Sequence, residues 1–382
     1  MELVSPAYAV ELLKNSVEIY TPSRSEGELA NLIKERCMTD LGFERVTIDS
    51  VGNVIATKGS GEPKIILCGH MDTVPGQIPV RIDSGFMYGR GASDAKGPLI
   101  SMLLAASEFK QKGTIIFAGV VDEEGSATGV KELVRSKLFP DYAIFGEPSG
   151  ISNITVAYKG RLALRLICDV GKSAHASAPW LAMNSIEEMQ YIWNDLKRII
   201  IEGNVDLNKK STAVTCSLTE ISGGSSHNVT PQKCKATIDI RIPTSRTCQE
   251  ILGVVDEIIN NLAKKRDVKL TYRIEDMTEA FEAEHSSPLV RALSLSILDV
   301  CRTRPILLRK TGTGDMNVLG NSLKIPVVTY GPGEPHASHA KDERIEIESY
   351  LTSIEVFGRT LFHISRLHQI KKQNVNKPKI IN

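Results

Sequence analysis

The sequence lacks the cysteine pattern of a disulfide framework or a zinc ribbon: its seven cysteines, at 37, 68, 168, 216, 234, 248 and 301, include no CxxC pair and are odd in number. They read as small apolar interior residues in a reducing compartment. It also lacks bulk charge of either sign, with 46 Lys and Arg against 45 Asp and Glu, so no field draws it to nucleic acid or an anionic membrane. A charged partner must be met by a local patch. No run approaches the ~18 apolar residues of a membrane span, and the opening MELVSPAYAVELLKNS carries acids instead of a basic segment followed by an apolar core. The expectation is a cytoplasmic protein without nucleic-acid or membrane partners. No internal repeat or low-complexity segment is present.

What is present is enough apolar material for two cores: 382 residues, 42% of them hydrophobic. Helical spacing runs from Ala7 to Leu13 and from Glu26 to Met38, with turn and cap residues in TPSRSEGE between. Three short apolar runs, Ile65–Cys68, Ile115–Val121 and Tyr142–Phe145, each end in a polar cluster and are separated by the helical stretches GPLISMLLAASEFKQ and GVKELVRSK. This alternation predicts an α/β fold with a mixed, largely parallel sheet, whose functional groups gather at strand carboxyl ends. From about Tyr158 the pattern becomes β-α-β-β-α-β, an inserted α+β domain. The first pattern resumes after Arg273 with LVRALSLSILDVCR and IPVVTYGP. The expected division is 1–158 and 274–370 for a discontinuous catalytic domain, 159–273 for the insert and 371–382 for a loosely ordered, polar, basic tail.

The chemistry-bearing residues recur beside these runs: His70 and Asp72 in GHMDT, Asp94 in GRGASDAKGP, Glu124 in DEEG, Glu147 in FGEPS and His339 in SHAKDE. Mixed histidine and carboxylate ligands suit zinc, and a bridging carboxylate holds two ions roughly 3.5–4 Å apart. Alone, an HxD at a strand end is more often a capping or hydrogen-bonding cluster. Adjacent Glu123 and Glu124 point in different directions, so one can ligate metal while the other takes a proton from water. The alternative is an acidic turn opening a helix.

Together GHMDTVP, GRGASDAKGP, DEEG, GEPS, GKSAHASAP, HNVTP, DIR and HAKDE resemble, in order and over nearly the whole chain, the cocatalytic zinc deacylases and exopeptidases. That family includes acetylornithine deacetylase and succinyl-diaminopimelate desuccinylase. The resemblance implies a zinc-peptidase-like catalytic domain whose insert is a lid and dimerisation domain. It implies two zinc ions per subunit, with cobalt as a substitute: His70 and Glu147 on one, Glu124 and His339 on the other, Asp94 bridging. Asp72 would orient the His70 imidazole, Glu123 would be the general acid/base, and Glu343 would support the His339 region. His175, reaching the site of the partner subunit in a homodimer, would stabilise the oxyanion, and Asn228 and Arg241 would hold substrate. Without the motifs, His175 is a surface histidine beside a turn and Arg241 a strand ion-pair partner.

Within the family, GQIPVRIDSGFMYGRGASDAKGPL, TGTGDMN and TYGPGEPHASHAKDE are similar to hydrolases that release lysine or ornithine from an amino-group carrier protein in lysine and arginine biosynthesis. The implied substrate is a small acidic protein whose C-terminal glutamate holds the amino acid through a γ-carboxyl amide. Arg81, Arg90, Lys96, Lys159, Arg161 and Lys172 form the basic rim expected for it, or else are solvated surface charges. The alternative activity is an acetylornithine-type deacetylase or dipeptidase acting on free small molecules. A metal-binding scaffold without chemistry is disfavoured by the full set of seven residues.

Overall fold

The runs Gly113–Val120, Lys64–His70, Tyr142–Gly146 and Val327–Tyr330 are short, β-branched and aromatic, and lie in that order as parallel neighbours in one sheet. In this computed structural model, which describes residues 4–202 and 210–375, Ile65 pairs with Ile115 and Tyr142, and Val327 with Ala143. These strands are almost entirely buried, as parallel strands covered on both faces must be. Val54–Ser60 and then Arg45–Ile48 extend one side antiparallel, and Asn153–Tyr158 joins Val327–Tyr330 antiparallel through Thr155 and Thr329.

Helix Gly97–Ser107, every residue of which is buried, packs between this sheet and the long helix Ile347–Val375, which also carries Pro288–Cys301. Two helix starts are set locally. Ser5 and Ser287 accept hydrogen bonds from Tyr8 N and Val290 N, each followed by proline at the first helical position. Because the central strands are parallel, residues 70–72, 121–124, 147–149 and 331–339 leave the sheet at the same end. That geometry positions the site.

The described chain divides into two compact units, one holding residues up to 156, 283–308 and those from 314, the other residues 157–282 and 309–313. The second has strands Gly160–Asp169, Thr215–Gly223, Lys233–Ile242 and Lys269–Thr278 with helices Ser185–Glu202 and Cys248–Arg266. Its antiparallel sheet runs Thr215–Gly223, Lys233–Ile242, Gly160–Asp169, Lys269–Thr278. Alternation sends Leu162, Leu164 and Leu166 into one core with Ile192, Leu196, Val255 and Ile259 of the helices. A reciprocal cap begins the second helix: Thr247 Oγ1 accepts from Glu250 N and the Glu250 carboxylate from Thr247 N.

The structure departs from the sequence reading in three places. The divisions fall at 156/157, 282/283, 308/309 and 313/314 where 158/159 and 273/274 were expected: the last strand of the insert runs on to Thr278, and residues 309–313 belong to the insert as well. The expected tail is not loose where it is described: Lys371 to Val375 continue helix Ile347–Val375, while 376–382 lie outside the described residues. The strands Arg45–Ile48, Val54–Ser60 and Asn153–Tyr158 were not anticipated. Among the described residues no helix is long and apolar enough to cross a membrane.

Candidate metal centre

His70 is the last residue of its strand, Glu147 follows Tyr142–Gly146 directly, and Glu124 stands four residues beyond Val120. Asp94 and His339 are not at strand ends, contrary to the sequence reading. Asp94 lies in the irregular helical turn Ala92–Lys96, and His339, with φ +62°, lies beyond the short turn Pro335–Ala337. Gly333 lets that segment close on the turn, since a Cβ there would meet Ser93 Oγ at 2.5 Å.

These segments bring five side chains together. His70 Nε2 lies 3.4 Å from Asp94 Oδ1 and 3.5 Å from Glu147 Oε1. His339 Nε2 lies 3.4 Å from Asp94 Oδ2 and 2.7 Å from Glu124 Oε1. His70, Asp94 and Glu147 therefore form one group with ligand atoms within 4.8 Å of one another, and Asp94, Glu124 and His339 form another. Asp94 turns one oxygen to each histidine. The donor set fits divalent metal: three carboxylates converge on two imidazoles, and carboxylates with imidazoles are the ligands such ions take.

The electrostatics agree with that fit. Burial opposes charge on His70, yet its contacts with Asp72 and Asp94 raise the ring well above its ordinary value. His339 is raised chiefly by its hydrogen bond to Glu124. A cation would answer the same surplus of negative charge and leave both rings neutral as ligands. Burial pushes the Glu123 carboxyl well above the usual range against the opposing pull of His70, with Asp315, Glu147 and Glu124 adding to the rise. A raised carboxyl beside a candidate ligand is suited to receiving and returning a proton.

The groups holding the ligands differ in part from the sequence reading. His70 Nδ1 meets the backbone carbonyl of Asp72 at 2.9 Å, whereas the Asp72 carboxylate stands 3.5 Å away. That carboxylate accepts instead from Glu123 N at 3.0 Å, Glu124 N at 3.1 Å and Ser23 Oγ at 2.7 Å. Glu26 accepts from Asp122 N at 3.0 Å. Three successive amides of the DEE turn thus rest on two buried carboxylates. Glu343 spends its oxygens on Arg90 and on the amides of Ser93 and Asp94, and its charge also helps to raise the His339 ring.

Sequence reasoning missed Ser23, Glu26 and Asp315. The first two were read as part of a helix cap, and Asp315 was only one letter of TGTGDMN. Asp315 is buried at the start of helix Asp315–Leu323; burial, with Glu147 and Asp72 nearby, pushes its carboxyl up to about 8.

In the second unit, Ala176 N donates to Asn228 O and Thr230 N to Ala174 O, which sets exposed His175 opposite Val229, the residue after exposed Asn228. His175 Nδ1 meets Ser177 Oγ at 2.7 Å, and Asn228 Oδ1 accepts from Ser226 Oγ at 2.7 Å. Arg241 is paired through Nε and a terminal nitrogen to Asp239, at 2.6 and 3.2 Å. The basic rim is corrected. Arg90, Lys96 and Lys159 are buried, bonded to Glu343, Ile19 O and Ala213 O, and Arg161 is held by Asp239 and Asp276. Only Arg81 and Lys172 of the six are exposed.

Comparison with known proteins places this arrangement. Residues 66–363 match the model of peptidase family M20/M25/M40. The chain is 34% identical over 353 residues to the LysW-lysine/LysW-ornithine hydrolase of Sulfurisphaera tokodaii, covering 91% of this chain and 93% of that one. It is 36% identical over 366 residues to a Pyrococcus furiosus protein provisionally given the same name, covering 95% and 99%. Its fold superposes on an M20 family metallo-carboxypeptidase of Sulfolobus solfataricus with a TM-score of 0.78, at 20% identity, over 95% of this chain and 100% of that one. A match over most of the length, with two candidate metal-binding groups sharing one aspartate, makes the chain a member of peptidase family M20/M25/M40 and a metal-dependent hydrolase.

Proposed function

We propose that this chain hydrolyses the amide that joins lysine or ornithine to the C-terminal glutamate γ-carboxyl of the acidic LysW carrier protein. The observation that carries the reading is the identity of a third or more, across more than nine-tenths of both chains, to relatives named for that reaction. The two candidate groups joined at Asp94 support it.

In this reading His70 and Glu147 would hold one zinc ion, Glu124 and His339 would hold the other, and Asp94 would serve both; cobalt would substitute. The ions would supply Lewis-acid polarisation and a water acidic enough to attack at neutral pH. The chain's own residues do the rest. Glu123, raised by burial, takes the proton of the attacking water and returns it to the departing α-amine. Asp72 fixes Glu123 and Glu124 by their amides. His175 steadies the developing oxyanion at the site of the partner subunit, and Asn228 and Arg241 hold the substrate, with Asp239 keeping the Arg241 guanidinium oriented. The inserted unit acts as lid and dimerisation domain of a cytoplasmic homodimer.

The test is release of free lysine and ornithine from carrier conjugates, run beside acetylornithine, with metal-depleted and zinc-restored enzyme. Remote contacts with the carrier should favour the conjugate by a wide margin. Zinc-dependent turnover of acetylornithine alone would keep the metal chemistry and overturn the substrate.

A further inference from the structure

Asp94 is the residue on which both candidate groups depend, yet it sits on a loop and not on a strand. Its position is set from outside its own segment. Strand Arg344–Glu346 pairs antiparallel with Phe86–Tyr88, Arg344 opposite Tyr88, so the residue before the one strand faces the residues after the other. Gly89 N donates to Glu343 O at 3.1 Å, extending the ladder by one bond. The Glu343 side chain then turns under the loop. Oε1 accepts from Ser93 N at 3.1 Å and from Asp94 N at 3.0 Å, and Oε2 accepts from the Arg90 guanidinium at 2.7 Å.

The side chains of this pair are 1% and 8% exposed. Arg90 is itself fixed, since its Nε donates to Gly76 O at 2.9 Å. A buried ion pair is weak evidence for stability, because desolvation consumes much of the attraction, and its retention asks for another role. Here its directed bonds end on the amide of the shared ligand. Glu343 is also four residues from His339, so one carboxylate ties the segment carrying one ligand to the loop carrying another.

The geometry points to Glu343, with Arg90, as the positioning pair that sets the Asp94 carboxylate between the two ligand groups and so sets how tightly both hold metal. This rests on the reading that Asp94 serves both groups. Glu343 touches no substrate and moves no proton; it acts through the 93–94 backbone.

The experiment is zinc titration by calorimetry into metal-free full-length protein, with visible absorption of the cobalt-loaded form as the report on ligand geometry. Wild type is compared with Glu343→Gln and with Glu343→Asp, which keeps the charge and shortens the reach in case the amide variant does not fold. Circular dichroism and the Tm of the metal-free form check the fold. Loss of an outer partner to a metal ligand costs roughly 10–100-fold in metal affinity. That loss is expected in Glu343→Gln with an altered cobalt band, and a smaller one in Glu343→Asp. A variant with lowered metal-free Tm but wild-type zinc affinity and cobalt spectrum would reduce Glu343 to a stabilising role and overturn the proposal. Wild type that binds no zinc would overturn the shared-ligand reading itself, and the proposal with it.

Discussion

The two units use charge differently, although the inserted unit also buries Lys159 and Glu188. In the unit bearing the candidate metal centre, Glu26, Asp72, Arg90, Asp94, Lys96, Asp315 and Glu343 are all buried. In the inserted unit the core of Leu162, Leu164, Ile192 and Val255 is apolar, and Arg161, Asp239, Arg241, Arg165 and Glu220 are paired across its outer sheet face. Burying a carboxylate is costly unless its acceptors are used. In the first unit Glu26, Asp72 and Glu343 use theirs on backbone amides of the turns that carry the candidate ligands, so charge there acts to hold chemistry in place. In the second, charge decorates a fold that its apolar core already specifies.

The sharpest break of that comparison is at Glu123. Glu123→Gln removes the proton carrier but leaves His70, Asp94, Glu124, Glu147 and His339 untouched. General acid–base groups contribute roughly 10²–10⁴-fold. A fall in kcat of that order is expected, with metal content by elemental analysis unchanged. Retained activity would remove Glu123 from the mechanism.

A smaller effect is expected one step back, at Asp72. Its two oxygens accept from the Glu123 and Glu124 amides and from Ser23 Oγ. In Asp72→Asn one oxygen becomes an NH2, which faces a donor and leaves it unsatisfied. The cost of such a buried loss is about 1–3 kcal/mol. Chemical denaturation of the metal-free protein should show it, and kcat should fall while KM moves little. An unchanged midpoint would mean that the turn holds itself.

How much of this was legible in the sequence follows from the same contrast. The parallel strands could be read because Lys64–His70 and Tyr142–Gly146 are apolar and end abruptly in polar residues. The five ligand candidates could be named by their residue types and motifs. Asp72 and Glu343 could be named as supports from the motifs but their partners could not, and Glu26 could not be named at all, because it looks like any surface glutamate until pairing across the chain turns it inward. Arg90, Lys96 and Lys159 were counted as rim because charge says nothing about a buried acceptor such as Ile19 O or Ala213 O. Helix Ile347–Val375 had a signal that went unread: Tyr350, Ile354, Phe357, Leu361 and Ile364 recur at three- and four-residue spacing, and all are buried.

The smallest effect belongs to the charged face of the inserted unit, and it sharpens the contrast through pH. Burial works against the Asp239 carboxylate, but hydrogen bonds from Arg241 and Arg161 outweigh it and hold its pKa below the ordinary value. A carboxyl lowered in the folded state adds stability above its unfolded pKa, about 3.9, and loses it as the pH falls through the folded value. Both arginines are partly exposed, so solvent screens the gain to the order of 1 kcal/mol or less. The chain's two tryptophans, Trp180 and Trp193, both lie in the inserted unit, so their fluorescence reports its unfolding separately from the rest. Urea midpoints of wild type and Asp239→Asn should differ modestly at pH 7 and converge as the pH falls below the carboxylate range. A gap that persists unchanged to pH 3 would mean that Asp239 acts by its shape in the sheet and not by its charge.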